Sequence, residues 1–245
     1  MDGFTSYILH EQYKKVQELG DTLSNISESI DWEPFRVIIS RLYKDNKEKG
    51  GRPHFDEILM IKVLVLQQLY GLSDYDIERH IYDRISFWRF LGGPKELPDR
   101  STIWLFRERL KDNDSLVLIW AELQCQLDNM GYEIIRGVMQ DATFITSDPG
   151  HAKADKPRGE EAKTRRSKDG TWSKKGNHSY FGFKLHTLVD KETQFIRSIA
   201  TSTASLHDSQ VDLSDKGQTV YRDKGYFGVD PRASMDKTMD RATRN

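Results

Sequence analysis

The first half of the chain has the hydrophobic spacing of amphipathic helices. In the segment 55–70, apolar side chains recur at intervals of three and four residues, at Ile58, Ile61, Val65 and Leu69. This spacing predicts a helix with one apolar face, which Gly71 is expected to end because glycine readily adopts the left-handed C-terminal cap. Lys62 interrupts the apolar face, and we expect its stem to lie along the surface with the ammonium in water.

Further helical segments follow this one. Ser73 is placed to cap a helix over 74–82, because its hydroxyl can accept a hydrogen bond from a free backbone N–H. Ser101 is the predicted cap of a helix over 102–110, and a last helix is predicted over 115–129. We expect the large aromatic residues of this region to be core residues rather than base-stacking groups: Phe87, Trp88, Trp104 and Phe106.

Short helices joined by glycine turns have two interpretations here. They are compatible with a helix-turn-helix DNA reader, and equally with an ordinary helical bundle. Arg100, Arg107 and Arg109 cluster on and around the 102–110 segment, and we name them as candidate DNA-binding residues because guanidinium groups bind phosphate. The alternative is that they are solvated surface charges.

Beyond residue 135 the pattern changes to the two-residue period of β-strands. Strands are predicted over 138–145, 180–189, 195–201 and 219–222, with a turn at 190–193. A short helix is predicted over 207–214, and a helical tail after residue 230. The expected organisation is a helical N-terminal domain over 1–134 followed by a mixed-sheet α/β domain over 135–245.

A basic segment interrupts the second domain, and we predict a long loop over 147–177. Residues 151–175 carry nine Lys and Arg against four Asp and Glu, punctuated by proline and glycine. The segment is either a disordered surface insertion or a loop that grips phosphate. Trp172, Lys174 and Lys175 are candidate DNA-binding residues, because an aromatic ring can stack on a base while lysines hold the backbone. Lys184, which alternates onto one strand face with His186, is a further candidate.

Composition excludes some classes of protein and leaves others open. Charged residues make up 31% of the chain, and no apolar run approaches the roughly 20 residues of a membrane span. The single cysteine, Cys125, excludes an intrachain disulfide, so a cytoplasmic location is expected and the thiol is predicted to be a buried small apolar group. Residues 1–140 carry 18 basic and 23 acidic side chains, whereas residues 141–245 carry 19 and 15, a modest attraction for phosphate.

Two aspartates interrupt apolar strand-like segments in this second half. Asp141 lies within 137–145, and Asp223 lies within 219–228. A charge near apolar neighbours is costly unless a metal ion or a cationic partner compensates it. Two such carboxylates on two strands therefore suggest a divalent-cation site. The alternative roles are a helix or turn cap for Asp141, and a turn residue before Gly225 for Asp223.

The order of several short motifs resembles that of known mobile-element proteins. The motifs are Gly51–Asp56, Gly71–Asp76, Pro98–Ile103, Asp141–Thr143, Gly182–His186, His207–Ser209 and Tyr221–Tyr226. Taken together and in this order, they resemble the DDE transposases of bacterial and archaeal insertion sequences. The likeness is greatest to the fifth insertion-sequence family with its InsH-like N-terminal region.

This resemblance implies a fold, a chemistry and a set of partners. The second domain is expected to be an RNase-H-like catalytic domain in which Asp141 and Asp223 hold Mg²⁺ or Mn²⁺. Family members cut double-stranded DNA at terminal inverted repeats and join the freed 3′ ends to a target. Two ions about 3.5–4 Å apart would stabilise both the attacking and the leaving oxygen. A homodimer is expected, because two DNA ends have to be brought together.

The chain departs from the family at its third acidic residue, which is usually a glutamate on a later helix. The last glutamate here is Glu192, which precedes Asp223, while Asp230, Asp236 and Asp240 follow too closely. We therefore expect an incomplete RNase-H-like domain in a truncated or frameshifted product. One alternative function is an inactive fragment that still binds element-end DNA. Another is an RNase-H-like nuclease unrelated to transposition, which the N-terminal motifs disfavour.

Overall fold

A computed structural model describes residues 3–43, 53–134, 136–150, 167 and 169–239. The chain divides into two compact units, Met1–Gly131 and Tyr132–Asn245. The first unit is helical and the second is built on a mixed β-sheet, as the sequence predicted. Within the described ranges, no helix has the length and apolar character needed to cross a membrane.

Helices make up the first unit. They are α1 Gly3–Glu18, α2 Thr22–Ser29, α3 Glu33–Ser40, α4 Glu57–Leu69, α5 Asp74–Asp83, α6 Ile85–Phe90, α7 Arg100–Asp112 and α8 Ser115–Asn129. Asp56 caps α4 by accepting hydrogen bonds from two free N–H groups, and Ser73 caps α5 as predicted. The predicted positions of α4, α5, α7 and α8 are confirmed to within a few residues at each end.

Helix α4 lies between two hydrophobic clusters. Leu59, Val63 and Leu66 pack into one cluster with α5, α6 and α7, while Met60 and Ile61 pack into another with α3 and α7. The predicted apolar face was therefore partly wrong, and its last member, Leu69, is 50% exposed. Helix α4 is apolar on nearly every side, so hydrophobic spacing could identify the helix without identifying its buried faces.

Lys62 corrects a second expectation about α4. Its ammonium donates to the Phe90 carbonyl at 3.1 Å and to the Ser27 hydroxyl at 3.3 Å, and it lies 4.8 Å from the centre of the Trp32 ring. Burial lowers the pKa of Lys62. The cation is thus held between α2 and α6 rather than released to water, and it contributes to their packing.

Three side chains of α7 and α8 also differ from prediction. The cap of α7 is Asp99, which accepts from the Thr102 N–H at 2.7 Å, while Ser101 donates its hydroxyl to Asp99. Trp104 is 52% exposed, although Phe87 and Phe106 are buried as expected. Cys125 is exposed rather than buried. Both Asp99 and Ser101 are good caps, so composition alone could not choose between them.

The second unit contains a mixed sheet. Its strands are β1 Val138–Thr146, β2 Thr171–Lys175, β3 His178–Asp190, β4 Ile196–Thr203, β5 Thr219–Arg222 and β6 Met235–Asp236. Strand β3 pairs antiparallel with β1, β2 and β4. Strand β5 pairs parallel with β1, and β6 pairs parallel with β5. The four predicted strands are confirmed.

Three segments of this unit differ from prediction. Strand β2 lies inside the predicted basic loop 147–177, of which residues 151–166 and 168 fall outside the described residues. The segment 207–214 forms only a one-turn 3-10 helix at Asp208–Gln210. The tail after residue 230 contributes β6 instead of a helix, because its backbone pairs with β5.

The sheet has two different faces. On the covered face, Val138 and Leu188 pack with Val220 beneath Leu213 and Ala233, which belong to connecting segments. On the open face, Met139 and Ile145 are 37% and 42% exposed. Alternate residues of β1 point to alternate faces, so Asp141 belongs with Met139 on the open face.

Candidate active site

Asp141 stands on the open face because of its place in β1. Val138 and Gln140 of the same strand are buried, whereas Met139 and Asp141 are exposed. On β3 the residue opposite Asp141 is Thr187. The carboxylate therefore stands on the exposed side of a central strand, and the strand backbone holds it rigidly in place.

Asp223 reaches the same face from the neighbouring parallel strand. The paired residues are Val138 with Val220, Met139 with Tyr221 and Gln140 with Arg222. Asp223 directly follows the last paired residue, and its backbone is still extended, with φ −76° and ψ 178°. If the register is continued by one residue, Asp223 is the neighbour of Asp141. The two predicted metal ligands thus lie on, or directly after, neighbouring strands, and both side chains are exposed.

Each of the two carboxylates is oriented by a local backbone N–H. Asp141 Oδ1 accepts from the Ala142 N–H at 2.7 Å, and Asp223 Oδ1 accepts from the Gly225 N–H at 2.8 Å. Asp223 also begins a short 3-10 helix at Lys224–Tyr226. These hydrogen bonds restrict the rotation of both groups, so each carboxylate has a preferred direction before any ligand binds.

Gln140 anchors β1 from the covered face. Its amide donates to the Val211 carbonyl at 2.6 Å and accepts from the Leu213 N–H at 3.0 Å. Gln140 is buried, and both ends of its amide are satisfied by one connecting segment. Since Gln140 immediately precedes Asp141, this contact fixes the backbone from which the carboxylate projects.

Arg222 anchors β5 in the same way. Its guanidinium donates to Asp236 at 2.9 Å, to the Val229 carbonyl at 2.8 Å and to the Thr238 hydroxyl at 2.8 Å. The side chain is 1% exposed. Arg222 therefore points away from the exposed Asp223, as alternation along a strand requires. Its interactions tie β5 to the segment that contains β6.

Tyr226 is a buried neighbour of the aspartate pair. Burial raises the pKa of Tyr226 to about 12, so the phenol is protonated at neutral pH. Nearby negative carboxylates act in the same direction, namely Asp208, Asp141 and Asp223. Tyr226 belongs to the Tyr221–Tyr226 motif, but no pattern in the sequence distinguishes it from the other residues of that motif.

Lys184 and His186 share one strand face, as predicted, but it is the covered face. The Lys184 ammonium donates to Asp208 at 2.7 Å and to the Leu206 carbonyl at 2.7 Å, and its side chain is 9% exposed. His186 is fully buried against the Ser202 hydroxyl at 2.8 Å, and burial lowers its pKa. Lys184, named from the sequence as a DNA contact, is instead an internal ion-pair partner.

The other candidate DNA contacts of this unit lie on β2. Trp172 is 58% exposed and its ring lies 5.3 Å from that of Phe181. Lys174 and Lys175 are both exposed. Their assignment to DNA stays a prediction, but all three residues now have a defined position on a strand rather than in a loop.

The arginines of the first unit have different surroundings. Arg107 binds both carboxylate oxygens of Asp74, at 2.6 and 2.7 Å, and also contacts Gln67. Arg109 lies 5.3 Å from the centre of the Tyr43 ring, and Arg100 lies 5.9 Å from that of Tyr75. Arg107 thus links α7 to α4 and α5, so its guanidinium is already engaged within the unit.

A third metal ligand is not found beside the two aspartates. Across the described ranges, no three His, Cys, Asp or Glu side chains are grouped closely enough to hold a metal ion. Asp236, one of the acidic residues that follow Asp223, is paired with Arg222. The site in the described residues is therefore a two-carboxylate pair.

Comparison with known proteins gives a family match in each part of the chain. A family described as "Transposase domain (DUF772)" matches residues 10–109, and a family described as "Transposase DDE domain" matches residues 135–242. The second match contains both Asp141 and Asp223. No solved structure gives a significant match to the chain.

Proposed function

The two matches indicate a DDE transposase family, and on this premise we propose that the chain is an insertion-sequence transposase of the fifth insertion-sequence family. In this proposal the second unit is an RNase-H-like catalytic domain that cleaves transposon-end DNA and transfers the strand in a metal-dependent reaction. A mixed sheet in which antiparallel strands are continued by parallel ones supports this assignment.

One observation carries the proposal. Asp141 lies in β1, and Asp223 directly follows β5, which pairs parallel with β1. Both side chains are exposed, and the register continued by one residue makes them neighbours. Neither carboxylate has a cationic partner among the ion pairs of the described residues, unlike Asp208 or Asp236. Two like charges held this close to each other are unfavourable unless a cation lies between them, which favours a divalent-ion site.

The chemistry of these ligands fits Mg²⁺ or Mn²⁺. Mg²⁺ prefers hard oxygen ligands, usually keeps several waters, and is often bound by one or two carboxylates together with substrate phosphates. Asp141 and Asp223 would hold the ion, and DNA phosphate oxygens would complete its surroundings. When bound there, a divalent ion supplies Lewis-acid stabilisation of the charge that develops on the phosphate.

The remaining residues of the site prepare it for the substrate. The Ala142 and Gly225 N–H groups orient the carboxylates, while Gln140 and Arg222 hold the two strands from behind. The partners proposed are double-stranded DNA, at terminal inverted repeats and target, and a second copy of the chain.

We expect Asp141→Asn and Asp223→Asn to abolish Mn²⁺- or Mg²⁺-dependent nicking of supercoiled plasmid, down to the level of a metal-free control. Each substitution removes one of the two negative ligands while it keeps the size of the side chain. Asp215→Asn is the matched control, because Asp215 is an exposed aspartate in the turn before β5. Nicking that survives Asp141→Asn would overturn the metal assignment.

A second candidate function follows from the missing third ligand. A chain whose described residues offer two carboxylates can bind DNA without cutting it. In that case the protein is an inactive transposase fragment that binds element-end DNA. Salt-sensitive binding to inverted-repeat duplexes, with no nicking in Mn²⁺ by the unaltered chain, would select this function.

A further inference from the structure

Ring contacts define which residues of β3 point to the covered face near β2. The rings of Phe144 and Tyr180 stack with centroids 4.7 Å apart, and the Lys184 ammonium lies 5.2 Å from the Phe144 ring. Lys184 is buried on the covered face, so Tyr180 and Phe144 share that face. These ring contacts place the even-numbered residues of β3, back to Tyr180, on the covered face. Phe181 lies on the opposite face but is only 7% exposed, and its ring lies against that of Trp172.

The same alternation places Trp172 and Lys174 on the open face. Trp172 pairs with Phe181 and Lys174 pairs with Ser179, which are odd-numbered residues of β3 like Thr187, the partner of Asp141. Lys175 pairs with His178, an even-numbered residue, and so points to the opposite side. Lys174 and Lys175 are thus adjacent and both exposed, but they point to opposite faces of the sheet.

A further cation lies at the other end of the open face. The Lys191 ammonium lies 3.9 Å from the centre of the Tyr221 ring. Tyr221 pairs with Met139, which belongs to the open face, and it precedes Asp223 by two residues. The aspartate pair is therefore flanked along the strands by Lys191 on one side and by Trp172 and Lys174 on the other.

These groups are spread along the strands on both sides of the aspartates. The separations can be counted along β3, where Thr187 is the partner of Asp141. The partners of Trp172 and Lys174 precede Thr187 by six and eight residues, and Lys191 follows it by four. At about 3.3 Å per residue these separations are about 20, 26 and 13 Å. At about 3.4 Å per base pair, Trp172 would lie about six base pairs from the aspartates.

We propose that Trp172, Lys174 and Lys191 form a track that holds the DNA duplex across the open face, on both sides of the phosphate presented to Asp141 and Asp223. The inference rests on the proposed function. Two carboxylates repel phosphate, so cations on either side are needed to keep the backbone close until a metal ion is shared. Trp172, which lies between Lys174 and the aspartates, packs its exposed ring on the sugar-phosphate backbone.

The test compares DNA binding by full-length variants that lack a lysine on the open face with binding by a variant that lacks a lysine on the opposite face. Lys174→Ala, Lys191→Ala and Trp172→Ala are measured against Lys175→Ala, using fluorescence anisotropy of a labelled duplex of about 20 base pairs, close to 68 Å in length. Binding is repeated over a range of KCl concentrations. Circular dichroism checks the fold, and Trp172→Phe keeps an aromatic ring if Trp172→Ala is poorly folded.

If the track is correct, Lys174→Ala and Lys175→Ala should differ in their effect on DNA binding. Lys174→Ala and Lys191→Ala should each weaken binding about threefold or more and reduce the salt slope by about 0.9, while Lys175→Ala leaves both nearly unchanged. Trp172→Ala should also weaken binding, with Trp172→Phe closer to the unaltered chain. Equal effects of Lys174→Ala and Lys175→Ala would overturn the track. The Asp141→Asn nicking result would stand in either case, so the two proposals fail separately.

Discussion

Gly225 determines how much room the Asp223 carboxylate has. Its N–H donates to Asp223 Oδ1 at 2.8 Å, and a Cβ built at position 225 would lie 2.9 Å from the same oxygen. Heavy atoms at that distance clash, and the short aspartate side chain is the part that can move. Glycine at this position therefore keeps the carboxylate turned towards its backbone donor.

We expect Gly225→Ala to lower the affinity for Mn²⁺ by about tenfold, the lower end of what loss of a supporting interaction costs a metal site. The fold should persist, because the clash is relieved by rotating one side chain. Electron paramagnetic resonance of free Mn²⁺ measures the affinity. Gly228→Ala is the control, since a Cβ there meets nothing within 4 Å, although its φ of +90° adds backbone strain. Unchanged affinity in Gly225→Ala would contradict this role.

At the scale of single residues, the sequence pointed to the two aspartates and missed their supports. Asp141 and Asp223 stood out because each interrupts an apolar strand. Gln140 and Tyr226 did not, because an amide or a phenol beside a strand is ordinary until tertiary contacts are known. Lys184 was misjudged for the same reason, since its partner Asp208 lies 24 residues away in sequence.

At the scale of elements, the turn between β3 and β4 is held by Asp190. This carboxylate is 1% exposed, and its Oδ1 accepts hydrogen bonds from the Glu192 and Thr193 N–H groups and from the Thr193 hydroxyl. Burial opposes the charge, but the hydrogen bonds outweigh it, and the pKa of Asp190 is lowered. The ionised carboxylate therefore stabilises the hairpin.

We expect Asp190→Ala to lower the free energy of unfolding by about 1–3 kcal/mol at neutral pH, the cost of leaving buried donors unsatisfied. A lowered folded-state pKa gives stability that is present above the ordinary carboxyl pKa of about 4 and is lost as pH falls through the folded value. The difference in the free energy of unfolding between the unaltered protein and Asp190→Ala should therefore become smaller in acid. Urea unfolding at a series of pH values measures it, and a gap that is constant with pH would contradict the assignment.

Helices and strands were predictable from the sequence where a long hydrophobic periodicity was present. Helix α4 and strand β3 carry long periodic patterns and were placed correctly. Strand β2 was hidden, because a strand rich in lysine beside a basic segment has the composition of a loop. Strand β6 is two residues long and exists only through its pairing with β5, which no local pattern reveals.

At the scale of the whole molecule, each unit has its own hydrophobic core. Ile77 is fully buried in the helical unit, and Leu188 is 2% exposed in the sheet unit. The buried cluster around Leu188 otherwise contains Val138 and Val220 among the described residues, so it is the smaller core. Small cores leave less stability in reserve.

We expect Ile77→Ala and Leu188→Ala to lower different thermal transitions in calorimetry. Each substitution leaves a cavity that costs about 2–5 kcal/mol in the unit that contains it. Leu188→Ala should affect the transition at lower temperature, because the sheet unit has the smaller core. If both substitutions shift a single transition equally, the two units unfold together and the expectation is wrong.

The position of Asp141 next to Asp223 depends on the number of residues that separate Asp141 from the core, as well as on its carboxylate. Asp141 stands three residues after Val138, which is fixed in the core of the sheet unit. One residue added or removed between them would preserve a strand but turn the carboxylate to the side that Gln140 now occupies. Exchange of side chains in this stretch is therefore far better tolerated than a change of its length. A single in-frame codon insertion between Val138 and Asp141 would be enough to put Asp141 and Asp223 on opposite faces of the sheet.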